Sequence, residues 1–233
     1  MNEPAFALRP IRSFVIRAGR ITPAQERALL QLSNKYTIPF DKNSKDVVSL
    51  LHRSLSFERV ILDIGFGTGD VTVQLAAASP ETLFLGCEVH PPGVGALLKR
   101  IEIHQLKNIR IIMHDAVEVL HTMIADETLD GIHLFFPDPW PKKRHHKRRI
   151  VQPDFVRCAA RKLKIGGYFH PATDWQPYAD HMLEVLSAEP LLENTAEDFA
   201  PRPQSRPLTR FEQRGLKLGH MVRDLHFIRR AVS

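Results

Sequence analysis

From about residue 58 the chain falls into short apolar runs separated by longer stretches of helix-forming residues. Val60-Ile61-Leu62-Asp63-Ile64, Thr82-Leu83-Phe84-Leu85-Gly86-Cys87, Ile109-Arg110-Ile111-Ile112-Met113 and residues 131–136 are nearly continuously apolar, so each predicts a strand covered on both faces. Helices are expected between these strands at about 71–78, 93–105 and 116–123. Two more are expected at about 153–164 and 176–188, with Gly166-Gly167 stopping the first and Tyr168-Phe169-His170 forming a further strand. Apolar strands alternating with helices specify an α/β, doubly wound, mostly parallel sheet. Upstream, Thr22-Pro23-Ala24-Gln25 combines a capping Thr, a Pro suited to the first helical position and a Gln that completes a capping box. The C-terminal third changes character: a Pro-rich connection at 190–207 leads to two strands expected at about 209–214 and 220–229, paired antiparallel.

The 233 residues suit one domain at 22–233, preceded by an arm at 1–21 that carries Arg9, Arg12, Arg17 and Arg20 and no clear period. A net charge of +6 alongside 26 acidic residues means that the basic excess is local, concentrated in the arm, in 142–149 and toward the C-terminus. Cys87 and Cys158 each lie in an apolar segment and form no metal-type or redox-type pair, which argues against a disulfide framework. His145 and His146 are adjacent, point in different directions and have no ligand spacing around them, so no metal is expected. The opening Met1-Asn2-Glu3-Pro4 is unlike a signal peptide, and no apolar run approaches the roughly 18 residues of a membrane span. A soluble, cytoplasmic monomer is the expectation.

Gly65, Gly67 and Gly69 form a G-x-G-x-G turn between the first strand and the first helix of the alternating region, where a doubly wound sheet opens its ligand crevice. Glu88 closes the second strand, at the spacing from which an acidic side chain accepts ribose hydroxyls. A dinucleotide would set its pyrophosphate at this turn, yet Asp63 and Asp70 bracket it and Asp115 follows the third strand. Carboxylates repel phosphate but suit a sulfonium and an ammonium, since opposite charges about 4 Å apart gain roughly 4 kcal/mol at an effective dielectric of about 20, before desolvation. S-adenosylmethionine therefore fits better than NAD. Asp63 and the glycine backbone are expected to hold its methionine part, Glu88 the ribose and Asp115 the adenine, with a helix cap before Ala116 as the second reading of Asp115, compatible with the first.

The fourth strand runs into Phe136-Pro137-Asp138-Pro139-Trp140, where two prolines stiffen the backbone around one carboxylate. The seven residues Lys142 to Arg148 that follow carry five fixed positive charges and two histidines, a self-repulsion that a polyanion would relieve. Asp138 thus faces an acceptor that belongs to a nucleic acid. Together with His114-Asp115-Ala116, Ala172-Thr173-Asp174-Trp175 and Thr209-Arg210-Phe211-Glu212, these motifs resemble the tRNA (guanine-N7)-methyltransferase family over about 58–229. The proline-framed Asp-Trp element with its basic run is the specific part of the match. Two positions depart from the usual pattern: Asp63 stands where the family has Glu, and Arg210 where it has Lys.

The resemblance implies a Rossmann-like class I fold and methylation of N7 of a guanine in the tRNA variable loop. It also implies that Asp63, Glu88, Asp115 and Asp138 contact S-adenosylmethionine, while Asp138, Lys142, Asp174, Thr209, Arg210, Phe211 and Glu212 serve the target guanosine. Asp138 is the catalytic candidate. Arg144, His145, His146, Lys147, Arg148 and Arg149 are expected on the RNA backbone. Trp140, Phe211 and Trp175 are candidates for stacking on a base turned out of its helix, or for plain core packing. Asp174 and the 209–212 segment have bland readings too, as a helix cap and an ordinary strand. Two rival functions remain: a methyltransferase for another acceptor, and an RNA-binding subunit without turnover.

Overall fold

The structure, a computed structural model, describes residues 11–15, 19–44, 46–209, 212–213 and 221–231. Helix α1 (Pro23–Tyr36) starts with the expected capping box, with Gln25 N donating to Thr22 Oγ1 and Thr22 N to Gln25 Oε1. Helix α2 (Val47–Ser54), which the pattern did not predict, is capped by Asp46. The alternating region follows as β1 (Arg59–Ile64), α3 (Asp70–Ala78), β2 (Thr82–Cys87), α4 (Pro91–Ile103), β3 (Ile109–Ile112), α5 (Ala116–Thr122), β4 (Leu129–Phe135), α6 (Pro153–Lys162), β5 (Leu163–Thr173) and α7 (Gln176–Ser187). Short strands β6 (Leu192–Asn194), β7 (Arg223–Asp224) and β8 (Phe227–Arg229) complete the described elements.

The sheet order is β3-β2-β1-β4-β5-β8-β6, with β7 also on β5. Strands β1 to β5 pair parallel, while β7 and β8 join β5 antiparallel and β6 joins β8 antiparallel. Order reverses between β1 and β4, so a crevice opens at their carboxyl ends. Both faces are covered. Leu62, Leu85, Ile132 and Phe169 pack with α2 and α5 to α7, and Ile61, Phe84 and Ile109 pack with α1, α3 and α4. Consecutive residues of one strand thus enter opposite layers, which explains the lack of polar alternation. No helix among the described residues is long and apolar enough to cross a membrane.

Two expectations are corrected. Gly166-Gly167 does not stop a helix: α6 ends at Lys162, and Gly166, at φ 81°, lies inside β5 where the register with β4 shifts. Left-handed backbone at a shift of register is a bulge, and only glycine enters it without strain. The strand expected from residue 209 is also absent from the described part, since Gln213 N donates to Thr209 O in a helical turn. The strand expected at 220–229 is present, divided into β7 and β8 and antiparallel to β5, and the further antiparallel strand is β6 on β8.

Candidate active site

The chain leaves β1 through Gly65, Gly67 and Gly69, at φ of 69°, 58° and 75°. These left-handed angles favour glycine, and a Cβ on Gly69 would also lie 2.6 Å from Leu97 Cδ1. Gly69 is the N-cap of α3 and offers its first N–H groups no side-chain acceptor. Asp63 lies beneath this turn, buried, and accepts the Thr72 hydroxyl at 2.6 Å. Burial, chiefly, pushes its carboxyl up to about 6; the Thr72 bond opposes this and the nearby Glu88 charge adds to it. Asp70 turns away to Arg100, at 2.7 Å.

Glu88, just past β2, ties the glycine turn to the start of α4. Its Oε2 accepts from Gly67 N at 3.0 Å, and its Oε1 from Val89 N and His90 N at 2.7 and 3.0 Å. A carboxylate has about four acceptor positions, so one remains for a ligand. Asp115 caps α5 by accepting from Val117 N at 3.0 Å, and it also lines the cleft. Burial raises its pKa, against that backbone bond.

Asp138 is exposed at the mouth of the cleft, two residues after a strained bend. Phe136 and Trp140 both adopt positive φ, at 54° and 45°, a conformation that bulky residues hold only when their surroundings enforce it. Those surroundings are visible. Phe136 N donates to Ala172 O at 2.8 Å, Arg149 Nε to Pro139 O at 3.0 Å, and Trp140 Nε1 to Ser13 O at 3.0 Å. Part of the N-terminal arm therefore lies against the site, and Ser13 and Phe14 line the cleft with Gly65, Glu88, His90, His114, Asp115, Phe135, Phe136 and Asp138. Among its described lining residues are three carboxylates and no Lys or Arg. That donor set suits a cationic ligand with amino and hydroxyl groups, as S-adenosylmethionine is, and disfavours a pyrophosphate.

The basic block forms a 3-10 turn at Lys143–Arg148. Lys142, Lys143, Arg144 and Lys147 are exposed beside Asp138, and His145 and His146 are half-buried. The Arg148 guanidinium lies 4.8 Å from the Trp140 ring centroid, and His145 meets that ring edge-on at 5.8 Å. Arg149, expected on RNA, is instead buried: it bonds Pro139 O, approaches Pro177 O at 3.4 Å and stacks over Tyr178 at 4.7 Å. A guanidinium with five donors is well suited to fasten the Asp138 turn to α7, a role that a charge run in sequence does not reveal.

Asp174 follows β5, half-buried, and Trp175, 40% exposed, takes the N-cap position of α7. Thr209 and Glu212 form a capping box, with Glu212 N donating to Thr209 Oγ1 at 2.8 Å and Thr209 N lying 3.3 Å from Glu212 Oε2. Glu212, expected at the guanosine, is buried in a two-pronged bond to Arg206, which holds it away from solvent. The spacing Thr-x-x-Glu is itself a capping-box signal and was legible; the Arg206 partnership was not. Arg210 and Phe211 lie outside the described residues.

Comparison with known proteins identifies the family and the fold. Residues 58–225 match a family model described as a putative methyltransferase. A relative from Methylobacillus flagellatus, named tRNA (guanine-N(7)-)-methyltransferase, is 57% identical over 230 residues, covering 99% of this chain and 96% of the relative. A relative of the same name from Nitrosomonas eutropha is 56% identical over 222 residues, covering 95% and 98%. Among solved structures, the 16S rRNA methyltransferase KamB superposes with a TM-score of 0.59 at 15% identity, covering 80% of this chain and 95% of that one. The antibiotic-resistance methyltransferase Kmr superposes with a TM-score of 0.56 at 15% identity, covering 84% and 96%. The structural likeness shows a shared fold, and the sequence matches, which run through the glycine turn, the Asp138 element and the 209–212 segment, go further: this chain belongs to the tRNA (guanine-N7)-methyltransferase family.

Proposed function

We propose that this chain transfers the methyl group of S-adenosylmethionine to N7 of a guanine in the tRNA variable loop, with Asp138 as its catalytic residue. One observation carries the reading: a rigidly framed carboxylate at the end of β4 shares a cation-friendly cleft with Gly65, Glu88 and Asp115, and the chain runs on from it into the exposed Lys142, Lys143, Arg144 and Lys147. Bound there, S-adenosylmethionine would supply an electrophilic methyl group on a cationic sulfonium. The backbone at Gly65, Gly67 and Gly69, backed by Asp63, holds its methionine part; the remaining acceptor position of Glu88 takes the ribose and Asp115 the adenine amino group.

Guanine N7 carries a lone pair and no proton, so no general base is required and orientation dominates. Asp138, with Asp174, accepts from guanine N1–H and the N2 amino group. This aims N7 at the methyl, while adenine would place an acceptor against a carboxylate and be rejected. The same carboxylate stabilises the positive charge that the purine acquires. Thr209, Arg210 and Phe211 close the pocket, and Trp140 or Trp175 stacks on the extruded base or fills its vacancy. Lys142, Arg144, His145, His146, Lys147 and Arg148 bind phosphates, whereas Arg149 and Glu212 support the site from inside.

The test is to incubate an unmodified tRNA transcript with radiolabelled S-adenosylmethionine, then reduce and cleave with aniline, which cuts only at N7-methylguanosine. Label with a single cut in the variable loop is the expected result. Label without that cut discards the atom and the position, and no label discards the activity.

A further inference from the structure

Arg206 lies on the Pro-rich connection, outside the basic block, and is 2% exposed. Its guanidinium joins the nearby Glu212 turn to two more distant segments, at Asp224 and at Phe135-Phe136. Nη1 and Nη2 donate to the two oxygens of Glu212 at 2.7 and 2.8 Å. Nη2 also donates to Asp224 Oδ2 at 3.0 Å, and Nε lies 2.7 Å from Asp224 Oδ1, which His170 Nε2 contacts at 2.8 Å. The guanidinium carbon stands 5.6 and 5.9 Å from the ring centroids of Phe135 and Phe136.

Each partner adjoins a residue that faces the acceptor in the reading above. Phe136 lines the cleft and precedes Pro137 and Asp138. Asp224 registers with Ala172 in β5, two residues before Asp174. Glu212 closes the capping box of Thr209. Apolar side chains would bury this space at no cost in desolvated charge. An arginine between two carboxylates adds what they lack, a planar fork that fixes direction as well as distance.

We propose that Arg206 is a positioning residue for methyl transfer: it locks the Asp138 turn, the Asp174 strand end and the Thr209 turn into one acceptor pocket without touching tRNA or methyl donor. The inference rests on the proposed guanosine contacts of those three residues. A pocket wall misplaced by about 1 Å can cost roughly a hundredfold in rate. Lysine in this position keeps the charge but loses the fork.

The experiment compares Arg206→Lys and Arg206→Gln with the wild type for S-adenosylmethionine affinity by calorimetry, and for kcat and KM with a tRNA transcript. Expected are near-native cofactor affinity and a kcat/KM for tRNA reduced roughly ten- to a hundredfold, more in Arg206→Gln than in Arg206→Lys. The loss in Arg206→Lys combined with Thr209→Ala should fall short of the product of the single losses, because one acts through the other. Wild-type kcat and KM in Arg206→Lys would overturn the proposal. So would cofactor affinity falling in step with rate, which marks a general loss of structure. Should Arg206→Gln not fold, Glu212→Gln, which keeps a capping-box acceptor and weakens the fork, must show the same separation. A wild-type enzyme inactive on tRNA defeats the reading of function itself, and an active one with unaffected variants defeats only the role of Arg206.

Discussion

On the donor side of the cleft, carboxylates are met by backbone N–H groups: Glu88 by Gly67, Val89 and His90, and Asp115 by Val117. On the acceptor side, side chains hold one another, with Arg206 on Glu212 and Asp224 and His170 on Asp224, and Arg149 grips the backbone carbonyl of Pro139. The donor half thus rests mainly on loop backbone next to strand ends, with Asp63 held by the Thr72 hydroxyl. The acceptor half is a network of buried charges assembled across the chain. Substitutions should therefore separate the two, with donor-side changes weakening cofactor binding and acceptor-side changes slowing transfer while cofactor still binds.

The sharpest case is Asp138→Ala. We expect kcat to fall roughly a hundred- to a thousandfold, with tRNA affinity near wild type, as filter binding would record. Normal turnover by this variant removes the role given to Asp138. On the other side, Gly69→Ala forces a side chain into φ 75° and against Leu97. It should cost about 3 kcal/mol in urea unfolding and weaken S-adenosylmethionine binding. Unchanged cofactor affinity there would erase the contrast between the halves.

Lys142→Ala combined with Arg144→Ala should weaken tRNA binding about tenfold and reduce the slope of log affinity against log salt by at most about 0.9 for each phosphate that is no longer neutralised. Cofactor affinity should not move. The smallest effect concerns pH. Asp63 keeps its proton to about pH 6 in the folded protein, against an ordinary value of 3.8, so between these values the unfolded chain has released a proton that the folded one retains. Its contribution to stability consequently declines as pH rises through that window and levels off above about 6. A cationic cofactor favours the anion, so its affinity should drop about twofold from pH 7 to pH 6 and more steeply below, a dependence that Asp63→Asn removes. A flat calorimetric profile in the wild type would detach Asp63 from cofactor binding.

Much of this was legible along the chain. The strands β1 to β4 came through as apolar runs because burial on both faces leaves no room for alternation, and the α1 capping box was a local pattern with a local structure. The glycine turn, Glu88, Asp115 and Asp138 likewise stand at strand ends, where the doubly wound topology brings them together. Helix α2 was missed because its eight residues make only about two turns, although Val47, Val48 and Leu51 share one face behind the Asp46 cap. Of the two expected C-terminal strands, the one at 220–229 is present as β7 and β8, while β6, three residues long and dependent on pairing with β8, left no pattern of its own. Arg149 and Glu212 looked like ligand contacts because charge in a sequence reads as exposure.

The sequence by itself determined the α/β alternation and the stiff Pro-Asp-Pro turn beside a basic block, since each depends on residues within a few positions of one another. It also showed the acidic character of the donor cleft, because Glu88, Asp115 and Asp138 each follow a strand whose end the topology places there. The tertiary structure alone decided which charges turn inward. Arg206 joins Glu212 and Asp224, Arg149 fastens the Asp138 turn to α7, and Trp140 meets Ser13 across the mouth of the cleft. Glu212 is six residues from Arg206, but Asp224, Pro177 and Ser13 lie 18, 28 and 127 positions from their partners, and a buried ion pair forms only where folding has already brought its members within hydrogen-bond distance and excluded the water that would otherwise solvate them.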